Sequence, residues 1–471
     1  MYEPNWMSVI PPLLAIVLAI VSRQVILSLG IGIWVGFVIL ESVNPISGLG
    51  LGIEGIVAVF SDAGDTRVLI FTLIIGGLIA TIEKVGGVRG FIRMLEGRNW
   101  VDGPQKAQWL AWVTGLVIFI ESNITLLVAG SISRPLFDRY KLAREKLAYL
   151  IDSTSAPVCI MIPLNAWGAV VIGLLTSSEI KNPIGVFITA IPFNFYPIAA
   201  ILFSAFVIWR KFDIGPMKTA QQRTEQGELL WPNATPMVDP SIISQDTEAT
   251  TEDRASFMVL PIVVMVLSMP FSLYVTGDGD ISAGSGSTSV LWAVLLALLT
   301  SWILVLLNRR LSLEGLMQTF LKGAGGLLPV ATILLFALAL GDVANALGTG
   351  GYVAQLAQET IPAALLLPLL FLISSVIAFS IGSSWGTFAI MIPLAMQIVI
   401  ALDYPPSLFL AAVLSGSVFG DHASPISDTT VVSSMASATD HIDHVRTQLP
   451  YALIAAGMAT IAFFIVGLIG L

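Results

Sequence analysis

Twelve apolar segments, at about 7–22, 25–40, 68–83, 107–133, 147–176, 184–208, 256–276, 289–307, 327–341, 362–401, 408–438 and 449–470, take up most of this chain. A helix needs about 20 apolar residues to cross a bilayer, and most of these segments approach or exceed that length. Only 11% of the residues are charged, against about 25% in a soluble domain. The expectation is an all-α, multi-pass protein of the cell membrane, plasma or bacterial inner, with one membrane domain. A net charge of −9 argues against a nucleic-acid partner. Cys159 is the single cysteine, so no internal disulfide exists. The N-terminal residues Met1–Trp6 lack a basic stretch, so the first apolar run is not read as a cleaved signal.

The most informative interruption is Gly420 to Thr430, which reads Gly-Asp-His-Ala-Ser-Pro-Ile-Ser-Asp-Thr-Thr. It separates two runs, Leu408–Phe419 and Val431–Ala438, neither long enough to span alone. Together they make one crossing with a polar break. Backbone leaves helix geometry at membrane depth only where protein or enclosed water satisfies its amides. Ionisable residues placed there are costly and functional by default. Transporters bind ions and substrates at such breaks.

Basic residues orient the segments, because cytoplasmic loops are rich in Lys and Arg. Lys84, Arg89, Arg93, Arg98 and Lys106 precede the segment at 107–133; Arg134, Arg139, Lys141, Arg144 and Lys146 follow it. That segment therefore enters and leaves by the cytoplasmic face, as a re-entrant hairpin. The stretch 342–361 holds Asp342 and Glu359, and 402–407 holds Asp403, with no Lys or Arg in either. The segment at 362–401 is then a hairpin entering from outside. Arg446, beside His441 and His444, marks the loop before the last helix as cytoplasmic.

Opposed hairpins suggest two inverted-topology repeats. Arg89-Gly90-Phe91-Ile92 aligns with Gly350-Gly351-Tyr352-Val353, 261 positions on, and the same offset carries Ile120-Glu121-Ser122-Asn123 onto Ile381-Gly382-Ser383-Ser384. Pro157 matches Pro425 at an offset of 268. The first repeat is 1–209, with its hairpin at about 107–133 and a broken helix at 147–176. The second is 256–471, with its hairpin at about 362–401 and a broken helix at 408–438. The polar join, 210–255, reads as a flexible cytoplasmic linker.

Hard cations such as sodium take oxygen ligands, and hydroxyls, amides and freed carbonyls supply them. Ser122, Asn123 and Thr125 at the first tip, and Ser383, Ser384 and Thr387 at the second, are candidates; capping of helix ends is the competing use of the same residues. Asp152, Ser153 and Ser155 mark a polar break in the segment at 147–176. Asp421, His422, Ser424, Asp428 and Thr429 occupy the other. A carboxylate there can exchange a proton for a cation, since burial favours its neutral form and a nearby cation its charged form. Asp152, Asp421, Asp428, His422 and Glu121 are the proton-carrier candidates. Asp421 could instead cap a helix, His422 orient a carboxylate, and Glu121 pair with an arginine. His441 and His444 read as a pH-sensing or capping loop, and no transition-metal spacing accompanies them.

Gly420–Thr430, followed by Asp-His-Ile-Asp-His-Val-Arg-Thr-Gln-Leu-Pro-Tyr-Ala at 440–452 and preceded by the Ser-Ser-Trp-Gly-Thr tip at 383–387, closely resembles the signature of the NhaC-type sodium/proton antiporters. Ala423 stands where that family often has Cys, which puts little in doubt. The resemblance covers most of the chain. It implies membership of the wider ion-transporter superfamily: inverted repeats, re-entrant hairpins, a transport domain moving against a scaffold, and a homodimer. It also implies that Ser122, Asn123, Thr125, Ser383, Ser384 and Thr387 border the site.

The functional expectation is sodium/proton antiport by alternating access, with sodium and protons as the transported ions, no cofactor and no enzymatic activity. The rival is a sodium- or proton-coupled carrier of a small organic acid or amino acid, whose carboxylate could sit at facing helix N-termini. A channel needs a continuous pore that a sequence does not reveal. Ser, Asp and His occur together without a nucleophile elbow, which disfavours an enzyme.

Overall fold

The computed structural model describes residues 3–22, 24–41, 44–96, 102–119, 122–163, 165–178, 180–236, 254–279 and 284–470. Glu121 lies outside the described residues, as do the side chains of Asn123 and Asp428.

The first half holds α1 (Ile10–Ser22), α2 (Val25–Leu40), α3 (Pro45–Ala58), α4 (Ala63–Lys84) and α5 (Gly87–Glu96). The helix pair α6 (Pro104–Val117) and α7 (Ser122–Arg139) follows, then α8 (Arg144–Cys159) and α9 (Ala166–Ser177). A bent segment, α10 (Pro183–Ala190) and α11 (Phe195–Arg210), closes the half. The join contains α12 (Gly215–Glu225). The second half repeats this order: α13 (Ser256–Thr276), α14 (Gly286–Leu307), α15 (Leu313–Gly326), α16 (Leu328–Ala346) and α17 (Thr349–Thr360). Next come the pair α18 (Ala363–Ile381) and α19 (Ser384–Leu402), then α20 (Pro406–Ala423), α21 (Asp428–Ser437) and α22 (His441–Gly470).

Among the described residues, seven helices are long and apolar enough to cross a membrane, or eight with the segment bent by 42° at Asn194. Outer helices expose large apolar side chains, such as Phe271 at 64% and Ile461 at 61%. The chain is a multi-pass membrane protein.

The two expected hairpins differ in length. α6 has 14 residues, about 21 Å at 1.5 Å per residue. α18 and α19 have 19 each, about 28 Å, so either of them could cross on length alone. Five helices, α3, α5, α12, α15 and α17, lie where no apolar segment was expected. α3 is rich in glycine, α15 ends on one, and α17 is amphipathic.

Packing between the halves is reciprocal. α2 packs on α16 while α14 packs on α4, and α3 packs on α16 while α15 packs on α4. Likewise α7 meets α21 while α19 meets α9, and α8 meets α22 while α20 meets α11. At the centre, every residue of α8 is buried, and nearly every residue of α20.

The flexible-linker expectation for 210–255 is corrected over its first part. Residues 215–225 are helical and packed on α8 and α22. Arg223 closes two bonds to the buried Glu145, at 2.9 and 3.1 Å, and lies over Trp231 at 4.7 Å. Lys146 pairs with Asp213 at 2.7 Å. These partners are distant in sequence, which is why composition alone read the stretch as loose.

Candidate functional site

The second break is shorter than its polar sequence. α20 runs on through Asp421 and His422 and stops where Pro425 cannot continue a helix. Four residues, 424–427, separate it from α21. Ser424 donates to Phe379 O at 2.7 Å, and Ser427 caps α21 by accepting from Thr430 N. Asp421 thus lies in the last turn of α20, 1% exposed. Ser384 of the second tip donates to its Oδ2 at 2.7 Å, and Ser427 donates to Oδ1 at 2.5 Å. Thr429 lies 3.0 Å from Ser427. Asp421 is not an N-cap: it ends a helix rather than starting one.

The first break falls later than expected. Asp152 to Pro157 lie inside the continuous helix α8, and the interruption comes at 160–165. The hydroxyls there do not melt the helix, because each has a partner. Thr154 donates to Leu150 O at 2.8 Å, and Ser155 donates to Ser122 O at 2.8 Å, tying α8 to the first tip. Asn165 bridges the actual break. It accepts from Gly168 N at the start of α9 and donates to Cys159 O and Phe119 O.

At the tips, Thr125 donates to Ile118 O within its own hairpin. Gly382 takes φ +72°, a left-handed turn that favours glycine. Ser383 then caps α19, and Thr387 donates back to Ser383 O at 3.1 Å. A hydroxyl that spends its hydrogen on a carbonyl keeps oxygen lone pairs for a cation. Trp385, next to Ser384, packs on Trp167 of α9 with ring centroids 4.8 Å apart. The second tip thereby touches both broken segments.

A second cluster surrounds Asp152, 1% exposed. His422 Nε2 lies 3.8 Å and His444 Nε2 3.9 Å from its Oδ2. Gln448 donates to that oxygen at 2.8 Å and to His422 O at 2.7 Å. His422 Nδ1 meets Tyr196 Oη at 2.6 Å, and its Nε2 meets Ser153 Oγ at 3.4 Å. Asp421 and Asp152 thus sit in two environments: one lined by hydroxyls, the other by imidazoles and an amide.

Sequence reasoning missed Ser427, Tyr196, Asn165 and Gln448 as contributors and read His444 as part of a pH-sensing or capping loop. His441 and His444 are not a loop but the buried first turn of α22, at 9% and 0% exposure. Nearby Asp440 does cap that helix, accepting from Ile442 N and Asp443 N. A Gln one turn after His444 was the available signal.

The chain is similar to several known proteins. It is 34% identical to an uncharacterised protein of Haemophilus influenzae over 98% of this chain and 90% of that one. Over 36% of its length it is 34% identical to the malate-2H+/Na+-lactate antiporter of Bacillus subtilis, covering 37% of that protein. The fold resembles that of MtrF from Neisseria gonorrhoeae, with a TM-score of 0.58 at 16% identity over 89% of this chain and 84% of that one. A sequence model of the Na+/H+ antiporter family matches residues 171–468, and the chain belongs to that family.

Proposed function

We propose that the protein exchanges sodium for protons by alternating access, with the cation held where the hairpin tips meet the broken segments. One observation carries this reading: a buried carboxylate, Asp421, 1% exposed, is bonded by Ser384 from the second tip and Ser427 from the break. Sodium among these oxygens favours the charged carboxylate, and its departure favours the neutral one. Binding of one ion then expels the other. Asp152, Ser122, Thr125, Ser153, Ser155, Ser383, Thr387, His422, Ser424 and Thr429 line or support the path; Asn123, Asp428 and Glu121 enter the proposal by their place in the sequence alone.

The same proposal takes 1–209 and 256–471 as inverted repeats with opposed re-entrant hairpins, assembled as a homodimer. The reciprocal packing of α2 on α16 and α14 on α4 supports a two-fold relation. So does the aligned pair at 89–92 and 350–353, which falls on α5 and α17, the helices before each hairpin pair.

A second reading is coupled transport of a small organic acid. It is favoured by the malate-2H+/Na+-lactate antiporter, which matches over a third of the chain. The experiment is a sodium gradient across proteoliposomes with an internal pH dye and no organic solute. A pH change that follows sodium and vanishes in Asp421→Asn supports antiport. A flat trace with folded protein favours the second reading. Melting with carboxylates, with and without sodium, then decides it, since a ligand at 100 times its Kd stabilises by about 2.7 kcal/mol.

A further inference from the structure

The hydroxyl of Ser434 on α21 meets three acceptors: Thr430 O at 2.7 Å, His444 Nδ1 at 2.8 Å and His441 Nδ1 at 3.1 Å. The two imidazoles can be assigned their hydrogens from their other nitrogens. His441 Nε2 lies 2.6 Å from Pro425 O, which only accepts, so Nε2 carries a hydrogen. His444 Nε2 lies 2.8 Å from Gln448 Oε1. The amide cannot be turned round, because its nitrogen already donates to Asp152 and to His422 O. His444 Nε2 therefore carries a hydrogen too. In their neutral forms both Nδ1 atoms present lone pairs; Ser434 has a single hydrogen to offer, and Ser433 Oγ, 3.3 Å from His444 Nδ1, can offer a second when it does not donate to Thr430 O. The same contacts also accommodate one added proton. It sits on one Nδ1 and donates to Ser434 Oγ, which donates to the other.

We propose that His441, Ser434 and His444 form a site that holds one proton between them and moves it toward Asp152. A proton arriving on His441 Nδ1 passes to Ser434 Oγ while the hydroxyl hydrogen of Ser434 passes to His444 Nδ1. His441 returns to its neutral form, Ser434 keeps one hydrogen, and the positive charge now rests on His444, 3.9 Å from the Asp152 carboxylate. His441 is 9% exposed and His444 is fully buried, so the file runs inward from the surface. The file of contacts from His441 through Ser434 to His444 stands by itself; the site's place in a transport cycle rests on the antiport reading.

The surrounding charges leave this pair distinct. Asp152 of α8 and His422 of α20 approach His444. Tyr196 of α11 is bonded to His422, Asp421 of α20 to Ser384 and Ser427, and Tyr149 of α8 packs against Tyr451. Arg144, Glu145 and Lys146 of α8 pair with Asp138, Arg223 and Asp213. Lys218 and Glu225 of α12 are exposed, and α18 has no titratable side chain. Asp440, Asp443 and Arg446 lie on or beside α22 itself. Asp428 begins α21, with its side chain outside the described residues.

The chain has three histidines, so solid-state nitrogen NMR of histidine-labelled protein in liposomes can follow each one, with His422→Gln assigning the third. The expected result is that His441 and His444 titrate as a coupled pair, showing one unprotonated Nδ1 between them while the proton is held and two after its release. Ser434→Thr should keep this signature and Ser434→Ala should abolish it. His441→Gln should shift the titration of His444. Two independent titrations, unchanged in Ser434→Ala and His441→Gln, overturn the proposal. A sodium-gradient pH trace on the same liposomes tests antiport separately. A flat trace with a coupled pair leaves the shared proton standing and removes the antiport reading. An active trace with two independent histidines does the reverse.

Discussion

Ser384 Oγ of the second hairpin pair donates to Asp421 Oδ2 of α20 across 2.7 Å, and both residues are essentially inaccessible to solvent. The contact joins two elements that an alternating-access cycle must move together or part. A hydrogen bond to a charged group contributes about 1.5–3 kcal/mol. Ser384→Ala should therefore raise the half-saturating sodium concentration about tenfold to a hundredfold without reversing the coupling. Asp421→Asn should remove sodium-driven proton movement altogether. Initial rates of internal pH change against sodium concentration check both, and an unchanged half-saturation in Ser384→Ala would show that the hydroxyl is no part of the cation site.

The approach of α20 to α18 leaves no room at two glycines. A Cβ on Gly420 would lie 2.2 Å from Ser375 O, and one on Gly416 would lie 2.2 Å from Phe371 O. Both obstructions are backbone, which cannot step aside as a flexible side chain would. Gly420→Ala should lower the melting temperature or the folded yield in detergent. Gly457→Ala on α22, where nothing lies within 4 Å, should be neutral or gain up to about 1 kcal/mol from helix propensity. Equal behaviour of the two variants in a detergent melt would contradict this packing.

Residues that break an apolar run announce themselves. Asp421, His422 and Ser384 were legible because each is a polar group whose burial must be compensated. Gln448 and Tyr196 were not, since a Gln and a Tyr near helix ends are ordinary, and what singles them out is contact with Asp152 and His422 across long sequence separations. The first break was misplaced because Ser153, Thr154 and Ser155 look like helix breakers, yet they bond to neighbouring atoms and leave the helix whole. α3 escaped notice because its glycines dilute the apolar signal, although Asn44 caps it in the ordinary way. The docking of α12 depends on Glu145 and Arg223, 78 positions apart, which no local pattern reveals.

Asp440, just before α22, offers a pH prediction. Partial burial raises its carboxyl, but the backbone N–H groups of Thr235, Asp443 and Ile442 outweigh that and hold it below the usual 3.8. A group with a depressed folded value stabilises the protein above its unfolded value and loses that effect as pH falls through the folded one. Wild type should therefore melt above Asp440→Asn at neutral pH, and the gap should close as pH falls below 3.8. Paired detergent melts across that range check it; a gap independent of pH would assign the difference to cap geometry rather than to charge.

The Glu145–Arg223 pair decides whether the strap formed by α12 is held by charge or by shape. Glu145 is 0% and Arg223 6% exposed, so neither charge is served by water. Removing one partner of a buried pair costs about 3–5 kcal/mol, because the other charge is left uncompensated, whereas replacing both with apolar residues is often neutral. Arg223→Met should be strongly destabilising in a detergent melt, and Glu145→Leu likewise. The double variant Glu145→Leu/Arg223→Met should recover most of the loss. Simple addition of the two single effects would mean that the pair is not coupled, and that Trp231 and the carbonyls of Glu228 and Leu229, which Arg223 also contacts, hold the strap instead.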